Sequence, residues 1–231
     1  MTGRLMIRRL LPVLLAGPAL LSGCATVPPG TSYEKFVAAN PRSILIVPVA
    51  NKSVDVDAPA YFLSTLPVPV AERGYYVFPV NAVKRVLEDD GLSDAFLVHQ
   101  ADPMRLASLF GADAVLYVTI ERWDAQYMLI STSVTVEFDY VMKDGKTGDT
   151  IWTNHQKMTY SPSSGGGSGL GSIIAAVVSA AIEKASPSYM PLARQANDAA
   201  VEFPGPGFPA GPYRAEYRRD LAPAPGAKPE K

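Results

Sequence analysis

A chain of 231 residues that is 48% apolar can build one ordinary core with appendages, which excludes global disorder and leaves little room for two full domains. The formal net charge is −1, and without the three arginines of the first 23 residues 18 basic groups face 22 acidic ones, a net of −4. That balance offers no polyanion-binding surface, so nucleic acid is not an expected partner.

Residues 1–23 hold Arg4, Arg8 and Arg9 and then the run from Leu10 to Leu21, interrupted by Pro12, Gly17 and Pro18. A charged start followed by a short, broken apolar stretch reads as a signal peptide and not as a membrane span. It closes on Leu21-Ser22-Gly23-Cys24, which resembles the bacterial lipobox. The small residues let the peptidase grip the scissile segment, and the thiol accepts diacylglycerol as a thioether before cleavage. Cys24 is the only cysteine, so no internal disulfide competes for it. Three acyl chains, at roughly 0.8 kcal/mol per buried CH₂, would make the anchor permanent. Ala25 follows, with no Asp there to resemble an inner-membrane retention signal, so the expected location is the periplasmic face of the outer membrane.

Residues 24–42 read as a tether of about 60 Å at full stretch, at ~3.3 Å per residue, with a short helical turn at 33–39. The α/β domain is expected over 43–160. Ser43 to Val49 is a continuous β-branched run, a strand buried on both faces. Pro59 to Arg73 reads as a helix that Pro67 and Pro69 end or kink, and Gly74 stops it. Tyr75 to Val80 is a second strand. Asn81 would cap a helix from Ala82 to Asp90, with Gly91 after it. Asp102-Pro103 opens a helix that stops at Gly111, and Ala114 to Ile120 is a strand.

The clearest pattern is Ser133 to Lys143. Val134, Val136, Phe138, Tyr140 and Met142 alternate with Thr135, Glu137 and Asp139, the signature of a sheet with one wet face. Asp144-Gly145 and Gly148-Asp149 carry hairpin chemistry, and Thr150 to Tyr160 returns antiparallel. The expected fold class is therefore α/β, a mixed sheet with helices on one face, plus C-terminal helices.

Residues 161–171 are rich in Gly and Ser and read as a flexible joint. C-terminal helices are expected over 172–203, packing on the domain or on a partner. Ile173 to Ile182 has only Ser179 as a polar residue, so it must be covered by the domain's own sheet, by a protein partner or second copy, or by lipid. As an interface, its contact residues would be Ile174, Val177, Val178 and Ala181. Residues 204–231, rich in Pro, Gly and Ala, are expected to run extended over the surface or stay disordered.

Catalytic patterns fail on spacing. After Gly165 to Gly169 no third glycine falls where GxGxxG needs it, no Gly-Lys-Ser/Thr follows, and GxSxG breaks at Leu170. His99 and His155 have no ligand or triad spacing around them, and Asp55 and Asp57 read as an exposed turn before a cation site. No enzymatic activity, no cofactor and no metal are expected.

Asn40-Pro41-Arg42-Ser43-Ile44-Leu45-Ile46-Val47-Pro48, Leu66-Pro67-Val68-Pro69, Gly74-Tyr75-Tyr76-Val77-Phe78-Pro79 and Gly211-Pro212-Tyr213 resemble a family of proteobacterial outer-membrane lipoproteins of unassigned function, best known from Neisseria. Asp144, Thr147, Gly148 and Trp152 are similar to a hairpin of lipoproteins of the TolB amino-terminal and CsgG type, which implies a TolB amino-terminal-like fold. Family members tend to be encoded beside a CsgG-like lipoprotein. The resemblance thus implies an accessory of an export or envelope-assembly system with a protein partner, possibly CsgG-like, or a homo-oligomer. It supplies no catalytic residue, and only Cys24 carries over. Activation of a peptidoglycan synthase is the alternative of the same type, and an envelope enzyme the alternative of another class.

Overall fold

The sheet is built around alternate residues of one short strand. A computed structural model describes residues 33–127, 132–160, 189–203 and 205–221. After α1 (Glu34–Ala39), β1 (Ser43–Ile46) sends Ile44 and Ile46 into one apolar cluster and Leu45 into a second on the opposite face, where Val47 joins it. β2 (Ala50–Asn51), α2 (Ala58–Leu63), α3 (Pro67–Glu72) and β3 (Tyr76–Val77) follow, then α4 (Val80–Asp89), α5 (Ala95–Gln100) and α6 (Pro103–Phe110). The long strands β4 (Ala114–Tyr127), β5 (Thr132–Asp144) and β6 (Thr150–Tyr160) precede α7 (Met190–Val201). The strand order is β3-β1-β4-β5-β6, with β2 also pairing β4, parallel on the β1 side and antiparallel from β4 to β6.

Helices cover both faces where the sheet is parallel. Leu45, Val47, Val115 and Tyr117 pack under Val83, Leu87, Val98 and Leu106 of α4 to α6. On the other face Phe62, Leu66, Val70, Leu192 and Ala196 close the main core. Among the described residues, only the β5–β6 half keeps helices on one face, so the expected one-sided arrangement holds there alone. The reason lies in β1, whose unbroken apolar run needs cover on both sides.

The expected strand 43–49 is interrupted. Ile46 pairs with Leu116 but Ala50 pairs with Thr119, so β1–β2 carries one extra residue at Pro48, which has no N–H to give the ladder. A second bulge between Ile120 and Arg122 resets the alternation of β4 and turns Trp123, 1% exposed, into the main core. β5 follows its period-two pattern throughout: Val134, Val136, Phe138, Tyr140 and Met142 are all buried.

Several boundaries move for local reasons. Pro67 starts α3 instead of kinking a long helix, since it occupies the first turn where no N–H is needed. The second strand shrinks to Tyr76–Val77, and α4 begins at Val80 behind Pro79 with no side-chain cap from Asn81. The unforeseen α5 is capped by Asp94, whose carboxylate accepts from the Phe96 and Leu97 amides.

The hairpin at 144–149 is a docking joint. Asp144 Oδ1 accepts from Lys146 N at 2.6 Å, Gly148 takes φ 75°, and Gly145 N donates to Asp113 O at 2.8 Å.

Over 205–221, the described part of the tail, the expectation of disorder or of a chain merely running over the surface is corrected. Residues 205–221 pack on the domain: Phe208 is fully buried, stacked on Phe36 at 5.7 Å and edge-on to Trp152 at 5.1 Å. Tyr33 Oη donates to the carbonyls of Gly205 and Gly207, Trp152 Nε1 to Pro206 O, and Tyr75 Oη to Pro209 O. Arg73 closes the strap on Asp220 at 2.7 Å. Proline and glycine serve here to bring backbone against backbone, as where Gly211 abuts Gly74.

Candidate interaction surfaces

The chain enters the sheet at Ser43, and β1–β2 carries it roughly 25 Å, at ~3.3 Å per residue, to Asn51 at the opposite end. There residues 52–57 form a loop tied to itself. Asn51 Oδ1 accepts from the Ser53 amide at 3.0 Å and hydroxyl at 2.7 Å, and Asn51 Nδ2 donates to Asp55 O at 2.7 Å. Asp57 N donates to Asp55 Oδ1 at 2.9 Å, and Lys52 Nζ pairs with Glu121 at 2.6 Å. The result is a preformed tip on which Val54 is 94% and Val56 86% exposed. Tyr61 is half exposed in the helix that follows. Ordering such a loop in the free protein lowers the entropy lost when a partner covers it. Asp55 is thus a turn former, and among the described residues no group of three His, Cys, Asp or Glu side chains is placed to hold a metal.

The face of β5–β6 that no described helix covers carries charge. Glu137 and Asp139 on β5 face His155 and Lys157 on β6, with Arg122 of β4 alongside. His155 Nδ1 lies 2.7 Å from Asp139 and its Nε2 3.5 Å from Glu137, while Lys157 Nζ lies 3.0 Å and Arg122 Nε 3.8 Å from Glu137. Exposed pairs of this kind contribute about 0–1 kcal/mol each and are screened by salt. Their effect is to keep an open sheet face wet. A shallow groove beside it is lined by Asp139, Thr153, Asn154, His155 and Pro206.

His99 serves the fold. Near the end of α5 its Nε2 donates to Pro48 O at 3.0 Å, the carbonyl left over at the β1–β2 bulge, and its ring meets the edge of Tyr117 at 5.2 Å. Burial pushes its pKa down, partly offset by that hydrogen bond. Tyr117 is pushed up to about 12, first by burial and then by Asp102. Sequence reasoning missed the valine loop: Asn51 and Ser53 were legible as a turn, but the exposure of Val54 and Val56 was not.

Cys24, the 161–171 joint and the interface residues Ile174, Val177, Val178 and Ala181 lie outside the described residues. Among the described residues, no helix is long and apolar enough to cross a membrane.

The profile of a lipoprotein family, "Putative lipoprotein GNA1162-like", matches residues 31–211. The chain belongs to this family. The "Putative lipoprotein NMB1124/NMB1162" of Neisseria meningitidis serogroup B is 32% identical over 165 residues, 71% of this chain and 77% of that protein. The crystal structure of lipoprotein GNA1162 from Neisseria meningitidis is 33% identical, with a TM-score of 0.52 over 62% of this chain and 99% of that one. It shares the mixed α/β fold with a six-stranded sheet and helices. The LpoB C-terminal domain from Salmonella enterica is more distant, 18% identical with a TM-score of 0.35 over 55% of this chain and 91% of that one. Family membership makes the chain a lipoprotein, with a membrane-anchored location.

Proposed function

We propose that this lipoprotein is a non-enzymatic interaction protein, held by lipid on Cys24 at the periplasmic face of the outer membrane and serving an export or envelope-assembly system. The observation that carries the reading is the layout along the sheet: the lipid-bearing side of the chain enters at one end, and a rigid loop with two solvent-facing valines stands at the other. An anchored accessory needs its contact surface turned away from its own membrane. A CsgG-like lipoprotein is the partner that the family resemblance implies, since family members tend to be encoded beside one, and Ile174, Val177, Val178 and Ala181 would form a second contact.

Two measurements test this. Cys24→Ala should leave unprocessed precursor or a soluble periplasmic product, and labelled palmitate entering the variant as well as the parent would refute the anchor. Photo-cross-linking from positions 54 and 178 in intact cells should yield adducts with the CsgG-like lipoprotein. Adducts with a peptidoglycan synthase instead would replace this partner with the activator reading.

A further inference from the structure

At the end where the chain enters the fold, α1 and the tail enclose a shallow pocket. Phe36 and Tyr75 form its floor, Val37 and Leu221 its apolar lip, and Asn40 and Arg218 its polar rim. The rim is held in place. Tyr217 Oη donates to Asn40 Oδ1 at 2.6 Å, and Arg218, at φ 61°, carries its guanidinium over the Tyr217 ring at 5.1 Å. Val37 and Leu221 are 45% and 36% exposed.

Only some of the arginines here have ion pairs, and the carboxylate of Asp113 accepts from the Arg42 and Ser43 amides. Arg73 and Arg214 are matched by Asp220 and Glu216. Arg42, Arg218 and Arg219 are exposed and have no ion pair among the described residues. Arg218 lines the pocket, Arg219 is its chain neighbour and Arg42 follows Pro41 of the lining, so cationic residues adjoin the apolar lip on a mature chain whose net charge is −4. Cys24 lies nine residues before Tyr33, about 30 Å at full stretch, and α1 adds about 9 Å. Arg218 and Arg219 fall beyond the stretch matched to the family, which ends at 211.

We propose that this face docks on the anionic phospholipid surface of the leaflet that holds the lipid on Cys24. The arginines meet headgroup phosphates, and Val37 and Leu221 enter the interfacial layer. The proposal rests on the anchoring reading above. It adds an orientation: the tether alone allows the domain to tumble, whereas a docked α1–tail face points the 52–57 loop away from the membrane.

The test uses the mature chain, residues 24–231, with Cys24→Ser so that no lipid is attached, floated with vesicles of phosphatidylethanolamine and phosphatidylglycerol. Binding is expected there and not to phosphatidylcholine vesicles. Arg218→Glu with Arg219→Glu should weaken it by on the order of tenfold or more, from roughly five-fold per cationic side chain near such a surface. Leu221→Asp should weaken it as well, and Val54→Asp, at the far end, should leave it unchanged. The proposal is overturned if the double variant melts like the parent and still floats, if both vesicle types bind equally, or if glycerol phosphate in solution displaces the protein completely. Should the charge reversal itself lower the melting temperature, Arg218→Gln with Arg219→Gln decides by the same criteria. Palmitate labelling of the full chain is scored separately, so a failed anchor and a failed docking face give different results.

Discussion

Tyr140 of β5 donates its hydroxyl to Asn197 Oδ1 of α7 at 2.7 Å, with both residues buried in the main core. Asn197 Nδ2 donates onward to Thr65 Oγ1 at 2.8 Å, and that hydroxyl to Phe62 O at 2.7 Å. Strand, C-terminal helix and the α2–α3 corner are thus joined by one chain of hydrogen bonds. Burial pushes the phenol well above its ordinary pKa, so it remains a donor into the alkaline range.

Tyr140→Phe should therefore destabilise by about 1–3 kcal/mol, because Asn197 Oδ1 stays buried without its donor. Asn197→Ala should cost at least as much. The double variant should lose less than the sum of the two, as groups of one network do. Urea unfolding of the four proteins measures the coupling, and strict additivity would show that the bond contributes nothing.

Gly145 sits where no side chain fits. A Cβ there would lie 2.7 Å from Ala107 Cβ, 2.8 Å from Ala112 O and 2.9 Å from Asp113 O. Two of these neighbours are backbone atoms and cannot swing aside. Gly145→Ala should lower stability by about 1–3 kcal/mol through a displaced hairpin. Gly91→Ala has open space around its Cβ and pays only for its φ of 84°, so it should cost less. Thermal melts of the pair separate crowding from backbone conformation.

The tail is held through Asp220. Its Oδ2 takes Arg73 at 2.7 Å and the Ala210 amide at 2.7 Å, while Arg73 Nε donates to Phe208 O at 2.9 Å. Both side chains are mostly sequestered, 13% and 14% exposed. Asp220→Ala leaves a cation and an amide short of their acceptor and should destabilise by about 2–4 kcal/mol. Limited trypsin digestion should then cleave first at Arg214, Arg218 and Arg219. An unchanged digestion pattern would show that the apolar contacts of Phe208 hold the strap alone.

His99 makes stability depend on pH. Its folded-state pKa is lowered, chiefly by burial, so below the ordinary imidazole value of about 6.5 the unfolded chain binds a proton that the folded chain does not. Stability should be unaffected by this group near pH 8, fall as pH drops through about 6.5, and level off below the folded pKa. His99→Gln keeps a donor for Pro48 O and should remove that part of the acid sensitivity. Melting temperatures of parent and variant between pH 8 and pH 5 check it, and parallel curves would rule the histidine out as the source.

Where one physical requirement dominated a segment, the sequence by itself determined the outcome. β5 has to bury every second residue, so Val134 to Met142 announced both the strand and its wet face, and Asp102-Pro103 with Gly111 announced α6. The lipobox at Cys24 and the family motifs between Asn40 and Tyr213 announced the class. What only the tertiary structure decided are relations between distant residues. The bulge at Pro48 exists because β1 and β2 must both pair with β4, and His99 answers its carbonyl from 51 positions away. The tail reads by composition as extended over the surface or disordered, since Pro and Gly suit turns and loose chain equally well. Its place was settled by Phe208 filling the gap among Phe36, Tyr75 and Trp152 and by Arg73 finding Asp220. No local pattern encodes such contacts, because the burial that stabilises them is supplied by the rest of the fold.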